Sequence, residues 1–338
     1  MLDRLVKLLE MADDKSLGVI PTLFAGHEAG IIWLPPWMLT ASKAGARFQV
    51  FSQNKVRGNK PRNPYSDPEV MEKQIFFLRE LLVAVSGHPA LLAWNLGNEP
   101  YRWAVPPDEF SMRLWLQAMT ETLKEKDDKV LVSLGLSVED LLEGRELRTG
   151  QVAEHLDYLG IRVNLQRISW SRNPLDAAVL PFAASITKWL AKLPVMVNDL
   201  GLPTIPSVQD SSSRIIRSEA GLPLLSEDDV AEFADEALVY LRRLRMSGGF
   251  WKAYGDYHPS IWNWPPLDKN IPERFFGLLR YDGTRKPATT AFKPDHNELA
   301  EAELSSDWLD MSMEDFDKNP ESSLPRLYGR FRESHSLS

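Results

Sequence analysis

The chain has no cysteine, few histidines and no long apolar run. Zero cysteines in 338 residues exclude disulfides and thiolate-held metals. The six histidines are scattered without the spacing of metal ligands, so we predict no metal site and no cofactor. No window approaches the roughly 18 apolar residues of a membrane span. The sequence therefore predicts no transmembrane segment.

An excess of basic charge is also missing. The chain carries 39 Lys and Arg against 47 Asp and Glu, with a pI near 5.4. Such a balance gives no overall attraction to nucleic acid or to an anionic membrane. We therefore predict no nucleic-acid partner.

The first residues, MLDRLVKLLEMADD, are amphipathic. Leu2, Leu5, Val6 and Leu9 fall on one helical face with charges between them, whereas a signal peptide needs an uninterrupted apolar stretch. The pattern predicts a surface helix without a signal peptide, and a cytoplasmic protein as the sequence is written.

Short apolar runs alternate with amphipathic stretches along most of the chain. This alternation predicts an α/β fold with a parallel sheet covered by helices. The predicted strands lie within 17–24, 90–97, 129–136, 157–165, 193–201 and 248–255, and the predicted helices near 69–86, 107–125, 175–192, 226–246 and 287–303.

Three stretches depart from this alternation of predicted strands and helices. Residues 30–66 form a long insertion whose charged residues are all basic, which fits either a solvated loop or a contact for an anionic partner. Residues 202–225 are rich in Ser and Pro and are expected to arch over the sheet. The acidic tail 301–338 is expected to pack loosely. The basic residues of the insertion are Lys43, Arg47, Lys55, Arg57, Lys60 and Arg62.

Three motifs carry a family likeness. WNLGNEP (94–100), PVMVNDLGLPT (194–204) and ERFFGLLRYDGTRKPA (273–288) together resemble the (β/α)₈ glycoside hydrolases of clan A, most closely the family 5 β-mannanase and cellulase-like enzymes. TLFAGHEAGIIWLPPW (22–37) is similar to the third strand and following loop of that family, and GGFWKAYGDY (248–257) to its eighth strand.

The resemblance implies a TIM-barrel-like domain over residues 1–300 with about six of the eight strands present. It also implies that Glu99 is the general acid/base and that position 199 holds the nucleophile. Retaining glycosidases need two carboxyls about 5–5.5 Å apart, and in a parallel barrel both must lie at the carboxyl ends of strands. Position 199, however, is aspartate where the family has glutamate. The shorter side chain withdraws its carboxylate by about 1.3 Å and opens the gap to roughly 6.5 Å.

Three further positions depart from the family pattern. Arg162 and Asn164 stand where the family has a histidine and a tyrosine beside the nucleophile. Lys252, or Trp251 if the alignment shifts by one, stands where the family has a tryptophan that stacks beneath the reacting sugar. A lysine cannot replace an aromatic stacking face, and a guanidinium beside Glu99 would stabilise its charged form, the reverse of what a proton donor needs.

Other residues are candidates for sugar contacts. The resemblance implies that Asn98 holds the 2-hydroxyl of the sugar and that His27 belongs to the substrate site. Aromatic side chains could line a sugar cleft, or they could equally pack in the core or in loops. These aromatic candidates are Trp33, Trp37, Trp103, Tyr254, Trp262 and Trp264.

Two hypotheses follow. The first is a degenerate glycosidase retained as a binding or structural subunit, with a protein partner covering the barrel edge near residues 17–24 and the Ile31–Trp37 loop. The family begins with two strands that this sequence lacks, and we expect their absence to leave the edge near residues 17–24 uncovered. The alternative is an active β-glycan hydrolase that uses Glu99 as acid/base and Asp199 as nucleophile or base on a β-linked saccharide. A salt bridge from Arg162 to either acid would favour the first hypothesis.

Overall fold

The computed structural model describes residues 2–42, 48–143, 149–205, 215–217, 223–292 and 305–337. The predictions on Lys43 and Arg47, on most of the 202–225 segment and on the second half of the 287–303 helix lie outside these residues. Within the described part of the chain, no helix is both long enough and apolar enough to cross a membrane.

The helices alternate with the longer strands over most of the chain. The α-helices of the described residues are α1 (Leu2–Asp13), α2 (Pro68–Val85), α3 (Glu109–Lys124), α4 (Val138–Glu143), α5 (Thr149–Val152), α6 (Val179–Ala191), α7 (Glu227–Arg243), α8 (Met313–Lys318) and α9 (Pro320–Ser334). Short 3₁₀ helices occupy Pro36–Met38, Pro100–Arg102, Ala153–His155, Leu165–Arg167, Pro259–Ile261, Pro272–Phe275 and Pro287–Phe292.

The strands form one central sheet and several small ones. Their bounds are β1 (His27–Glu28), β2 (Ile31–Trp33), β3 (Gln49–Ser52), β4 (Lys55–Arg57), β5 (Ala93–Asn98), β6 (Leu131–Ser137), β7 (Tyr158–Arg162), β8 (Val195–Asn198), β9 (Thr204–Ile205), β10 (Ile215–Arg217), β11 (Pro223–Ser226), β12 (Ala253–Gly255) and β13 (Gly277–Leu279).

The central sheet follows the predicted order. Strands β5, β6, β7 and β8 lie side by side in the order of the sequence, and β5 pairs with β6 in parallel from Ala93 opposite Leu131. The first five residues of β5 are buried, as expected for a parallel strand covered on both faces. The predicted α/β, TIM-barrel-like arrangement is therefore confirmed.

The two outer predicted strands also pair in parallel. Val19 lies opposite Leu91 and Thr22 opposite Asn95, which puts segment 17–24 beside β5. Gly249 lies opposite Val197, which puts segment 248–250 beside β8. A further strand that the sequence did not reveal, β13, pairs in parallel with β12.

Polar caps set where the long helices begin. Asp67 accepts hydrogen bonds from the backbone N–H groups of Glu69 and Val70 at the start of α2, and Asp108 accepts one from Ser111 in α3. Ser226 does the same for α7. These side chains satisfy backbone donors that have no partner within the helix, so the helices begin within two residues of their predicted starts, except α6.

By its internal contacts the chain divides into two compact units. Unit 1 comprises Met1–Leu136, Arg145–Gly160 and Ala191–Pro194, and unit 2 comprises Ser137–Gly144, Ile161–Leu190 and Val195–Ser338.

In unit 1 the insertion builds a small sheet of its own, in the order β1-β2-β3-β4. Ile32 is fully buried there, together with Val50 and Val70. Ile31 is buried as well. The expectation that Ile31 and Ile32 add apolar surface for a partner is therefore wrong, because their side chains form the core beneath the insertion. Trp33 and Trp37 of the same loop remain partly exposed.

In unit 2 the end of the chain packs firmly. Helix α9 buries Tyr328 and Phe331, and the rings of both lie within 5.4 Å of the ring centroid of Phe182 on α6. Trp308 joins this cluster 5.2 Å from Phe331. Residues 305–337 thus differ from the loosely packed tail that the acidic composition predicts, because the apolar face of α9 decides the packing.

Candidate active site

Glu99 lies directly after β5, where the sequence predicts an acid. Its backbone is left-handed, with φ 49° and ψ 51°, and its N–H donates to the carbonyl of Gly135 at the end of β6 over 2.8 Å. The neighbouring Asn98 accepts a hydrogen bond from Asn95 over 2.9 Å. A Cβ on Gly135 would lie 2.1 Å from Asn98 Oδ1, so the glycine makes room for this amide. Both residues are held rigidly at the strand end.

The carboxylate of Glu99 is bound by an arginine that sequence reasoning missed. Arg102 Nε donates to Glu99 Oε1 over 2.8 Å, and Arg102 Nη2 lies 2.7 Å from the same oxygen. The side chains are 17% and 8% exposed, so water screens this pair little. The spacing of three residues within NEPYR was the only available signal, since such a pair can meet on one helical turn.

Two other candidates of unit 1 are buried in apolar surroundings. The ring of His27 lies 4.3 Å from that of Phe48, and both are beneath or beside the insertion. Trp103 belongs to the core cluster of Ile32 and Val50, and a Cβ on Gly26 would lie 2.6 Å from its indole nitrogen. Trp103 therefore packs in the core rather than offering an open stacking face.

In unit 2, Asp199 follows β8 and also has a left-handed backbone, with φ 62°. Its carboxylate is bound by Arg162, from the end of β7. Arg162 Nε donates to Asp199 Oδ2 over 2.5 Å, and Nη2 lies 2.5 Å from the same oxygen. The sequence raised the concern of an arginine beside Glu99. The structure pairs Arg162 with Asp199.

The remaining candidates of unit 2 lie in three different environments. Asn164 is exposed and its carbonyl accepts from the N–H of Arg167. Trp251 donates its indole N–H to the carbonyl of Phe276 over 2.8 Å. Tyr254 is 81% exposed. Tyr254 offers an open ring face, as does Trp264, which is 57% exposed, whereas Trp262 donates its indole N–H to the carbonyl of Tyr257 over 2.8 Å.

Lys252 is engaged in a structural contact. Its Nζ lies 3.0 Å from Glu273 Oε2 and 3.8 Å from the centroid of the Phe276 ring. A cation over an aromatic face and an ion pair both hold the ammonium in place. Lys252 therefore links the start of β12 to the segment before β13.

A deeply buried ion pair of unit 2 joins Lys286 to Asp256, whose side chains are 3% and 5% exposed. Lys286 Nζ donates to Asp256 Oδ1, to Thr204 Oγ1 and to the carbonyl of Phe275, over 2.7, 2.9 and 3.0 Å. Burial lowers the pKa of Lys286 and raises the pKa of Asp256. With three acceptors around its ammonium group, Lys286 fixes the KPA turn after β13.

No candidate metal centre accompanies these groups. The described residues contain no cluster of three or more His, Cys, Asp or Glu side chains that could hold a metal ion. Glu99 belongs to unit 1 and Asp199 to unit 2, and the prediction that they share a cavity stays a prediction.

Solved structures share this fold. An exo-β-1,4-mannosidase from Opitutaceae bacterium strain TAV5 matches with a TM-score of 0.63 and 19% identity over 86% of this chain and 47% of its own. A GH5_18 protein from Streptomyces cattleya, in complex with Manβ1-4GlcNAc, matches with a TM-score of 0.64 and 20% identity over 86% of this chain and 64% of its own.

A GH5_18 protein from Bifidobacterium longum subsp. longum matches over 100% of this chain and 66% of its own, with a TM-score of 0.63 and 16% identity. This chain thus spans about half to two thirds of the length of these structures. No protein-family model matches the sequence, and no curated protein matches it. The similarity establishes a TIM-barrel-like fold, which this chain shares with these structures.

Proposed function

We propose that the chain is a degenerate glycosidase, a barrel-type protein that serves as a carbohydrate-binding or structural subunit of an assembly and does not hydrolyse glycosides. The observation that carries this proposal is that each of the two candidate catalytic carboxyls is bound by an arginine, Glu99 by Arg102 and Asp199 by Arg162.

The first pair works against proton donation. A general acid must hold a proton until the leaving group needs it. A guanidinium on Glu99 Oε1 favours the ionised carboxylate, because opposite charge within about 4 Å stabilises the charged form. The pair is little exposed, so solvent weakens this effect only slightly.

The second pair works against nucleophilic attack. Two guanidinium nitrogens bind one oxygen of Asp199, and this charge-assisted contact lowers the tendency of that oxygen to attack carbon. Aspartate is also one methylene shorter than the glutamate of the family. Lys252, whose charge is bound by Glu273, does not supply a sugar platform. The residues of a catalytic site act together, and several of them are replaced here. This combination supports a loss of hydrolysis more than a change of substrate specificity.

The decisive test is hydrolysis of a panel of β-linked manno- and gluco-oligosaccharides and aryl β-glycosides by the protein and by Glu99→Gln. We expect both proteins to release product at the same background rate. Adding an active β-mannosidase to the same reactions shows that the assay detects cleavage. Robust cleavage that disappears in Glu99→Gln would establish the alternative, an active β-glycan hydrolase with an unusual aspartate.

The structural part of this role concerns segment 17–24. It pairs with β5 on one side, and large apolar side chains nearby on α1 and in this segment are exposed, namely Leu8, Met11 and Leu17. Among the residues that the structure describes, no strand pairs with the other edge of this segment, and a parallel edge beside apolar surface favours pairing with another chain. We therefore propose that a protein partner covers this edge. Rapid amide exchange at Ile20 and Thr22 in a stable monomer, measured at the concentration found in the cell, contradicts it.

A further inference from the structure

Unit 1 contains an open cleft that the carboxyl chemistry does not use. Its volume is about 920 Å³, within the roughly 300–1,000 Å³ of pockets that hold small ligands. One wall comes from the insertion and the start of α2, and the other from the segment that follows Glu99. The lining residues are Leu39, Thr40, Lys60–Asn63, Ser66–Pro68 and Tyr101–Val105.

Hydrogen bonds fix both walls in place. Asn63 Nδ2 donates to the carbonyl of Val105 over 2.8 Å, which ties one wall to the other. Thr40 donates its N–H and its hydroxyl to the carbonyl of Lys60 over 2.8 and 3.0 Å. The cleft is therefore preformed and does not require a ligand to organise it.

The charge of the lining is positive. It includes three cations, Lys60, Arg62 and Arg102, and one acid, Asp67. Asp67 is bound by Arg62, which also binds Glu69. Lys60 is exposed and makes no ion pair within the residues that the structure describes. Its ammonium is thus the group that an anion entering the cleft would meet.

The rest of the lining is largely apolar. Leu39, Pro61, Ala104 and Val105 present aliphatic surface, and Tyr101 also lines the cleft. A ligand that fits this lining has an apolar face and a single negative charge. A sugar ring has such a face, and a carboxylate on the ring supplies one charge, whereas a phosphate brings nearly two.

We propose that this cleft binds a saccharide that carries a carboxylate, a uronic acid unit, with Lys60 binding the carboxylate and the apolar wall packing on the sugar ring. The proposal rests on the carbohydrate-binding role proposed above and names its ligand class. Arg102 lies in the opposite wall, where Glu99 balances its charge, so Lys60 supplies the charge for the ligand.

The test compares two disaccharides that differ only in the charged group, cellobiouronic acid and cellobiose, by isothermal titration calorimetry. We expect the acid to bind at least about tenfold more tightly, because a charge-assisted hydrogen bond distinguishes the two. Lys60→Gln should abolish the preference, and Lys60→Arg should retain most of it. Lys55→Gln, an exposed lysine of β4 outside the cleft lining, is the matched control and should change nothing.

Two kinds of result overturn the proposal, the lack of a preference for the uronate and a preference for phosphate. Equal affinities for the two disaccharides, or no binding of either by a folded protein, remove the uronate site. Tighter binding of glucose 6-phosphate than of cellobiouronic acid identifies a phosphate site instead. Neither result bears on hydrolysis, which the panel with Glu99→Gln decides separately, so failure of this inference and failure of the proposed function remain distinguishable.

Discussion

Arg162 binds one oxygen of Asp199 with two of its nitrogens, and Arg102 binds one oxygen of Glu99 in the same way. In both pairs Nε and Nη2 of the arginine lie within 2.8 Å of a single carboxylate oxygen. Both acids also have left-handed backbones. The two strand ends thus repeat one arrangement, a carboxylate held in a fixed position by a guanidinium.

Restoring the family glutamate alone should not restore hydrolysis. Asp199→Glu lengthens the side chain but leaves Arg162 beside it, and residues that act as a unit are strongly non-additive. We expect the single variant to stay at the background rate on aryl β-mannosides. Turnover should first become measurable when Arg162→His, Asn164→Tyr and Lys252→Trp are added together with Arg102→Gln, which releases Glu99, and when the two strands that the family has at its start are also supplied. A single variant with strong activity contradicts the proposal.

The pair of Glu99 and Arg102 should contribute to stability. Arg102→Gln leaves a carboxylate that is only 8% exposed without its cation, and we expect the free energy of unfolding to fall by about 2–3 kcal/mol. The double variant Glu99→Gln with Arg102→Gln should lower the free energy of unfolding by less than the sum of the two single changes. Urea unfolding of the unchanged protein, the two single variants and the double variant completes this double-mutant cycle. Strictly additive losses of unfolding free energy would show that the two residues are not coupled.

The stability of unit 2 should depend on pH through Asp176. Burial opposes its ionisation, but hydrogen bonds from Arg172 and Tyr328 outweigh burial and hold its pKa below the usual range. A carboxyl with a lowered pKa stabilises the folded state above its unfolded pKa of about 3.9, and this contribution is lost as the pH falls through the folded value. Asp176→Asn should therefore lower stability most between pH 5 and about 7.

Below about pH 4 the difference between the protein and Asp176→Asn should shrink. Chemical unfolding at a series of pH values measures it, and Glu314→Gln, at an exposed position of α8, is the control. A difference that stays constant down to pH 2 assigns the effect to lost packing and not to the charge.

Removing one aromatic ring from α9 should destabilise the protein strongly. Phe331 is 1% exposed and packs on Phe182 and Trp308. Phe331→Ala should therefore lower the free energy of unfolding by about 3–5 kcal/mol. Phe76→Ala removes a ring that is 64% exposed and should cost much less. Thermal unfolding separates the two. Equal, small effects would mean that α9 contributes little to the fold.

The sequence by itself determined the architecture. The alternation of apolar runs and amphipathic stretches specified the parallel order of segments 17–24, β5, β6, β7, β8 and 248–255, because burial on both faces demands continuous apolar strands. Capping residues such as Asp67 and Asp108 fixed where helices begin. Glu99 and Asp199 could be placed at strand ends for the same reason, since each follows directly on a buried strand.

Only the tertiary structure decided which charges meet and which aromatic rings are buried. Neither the Arg162 contact with Asp199, across 37 residues, nor the burial of Ile32 and Trp103 beneath the insertion follows from local periodicity. Such contacts depend on how distant segments pack, and packing overrides the average exposure of a residue type. The sequence therefore located the two carboxyls, whereas the fold determined that each is paired with an arginine.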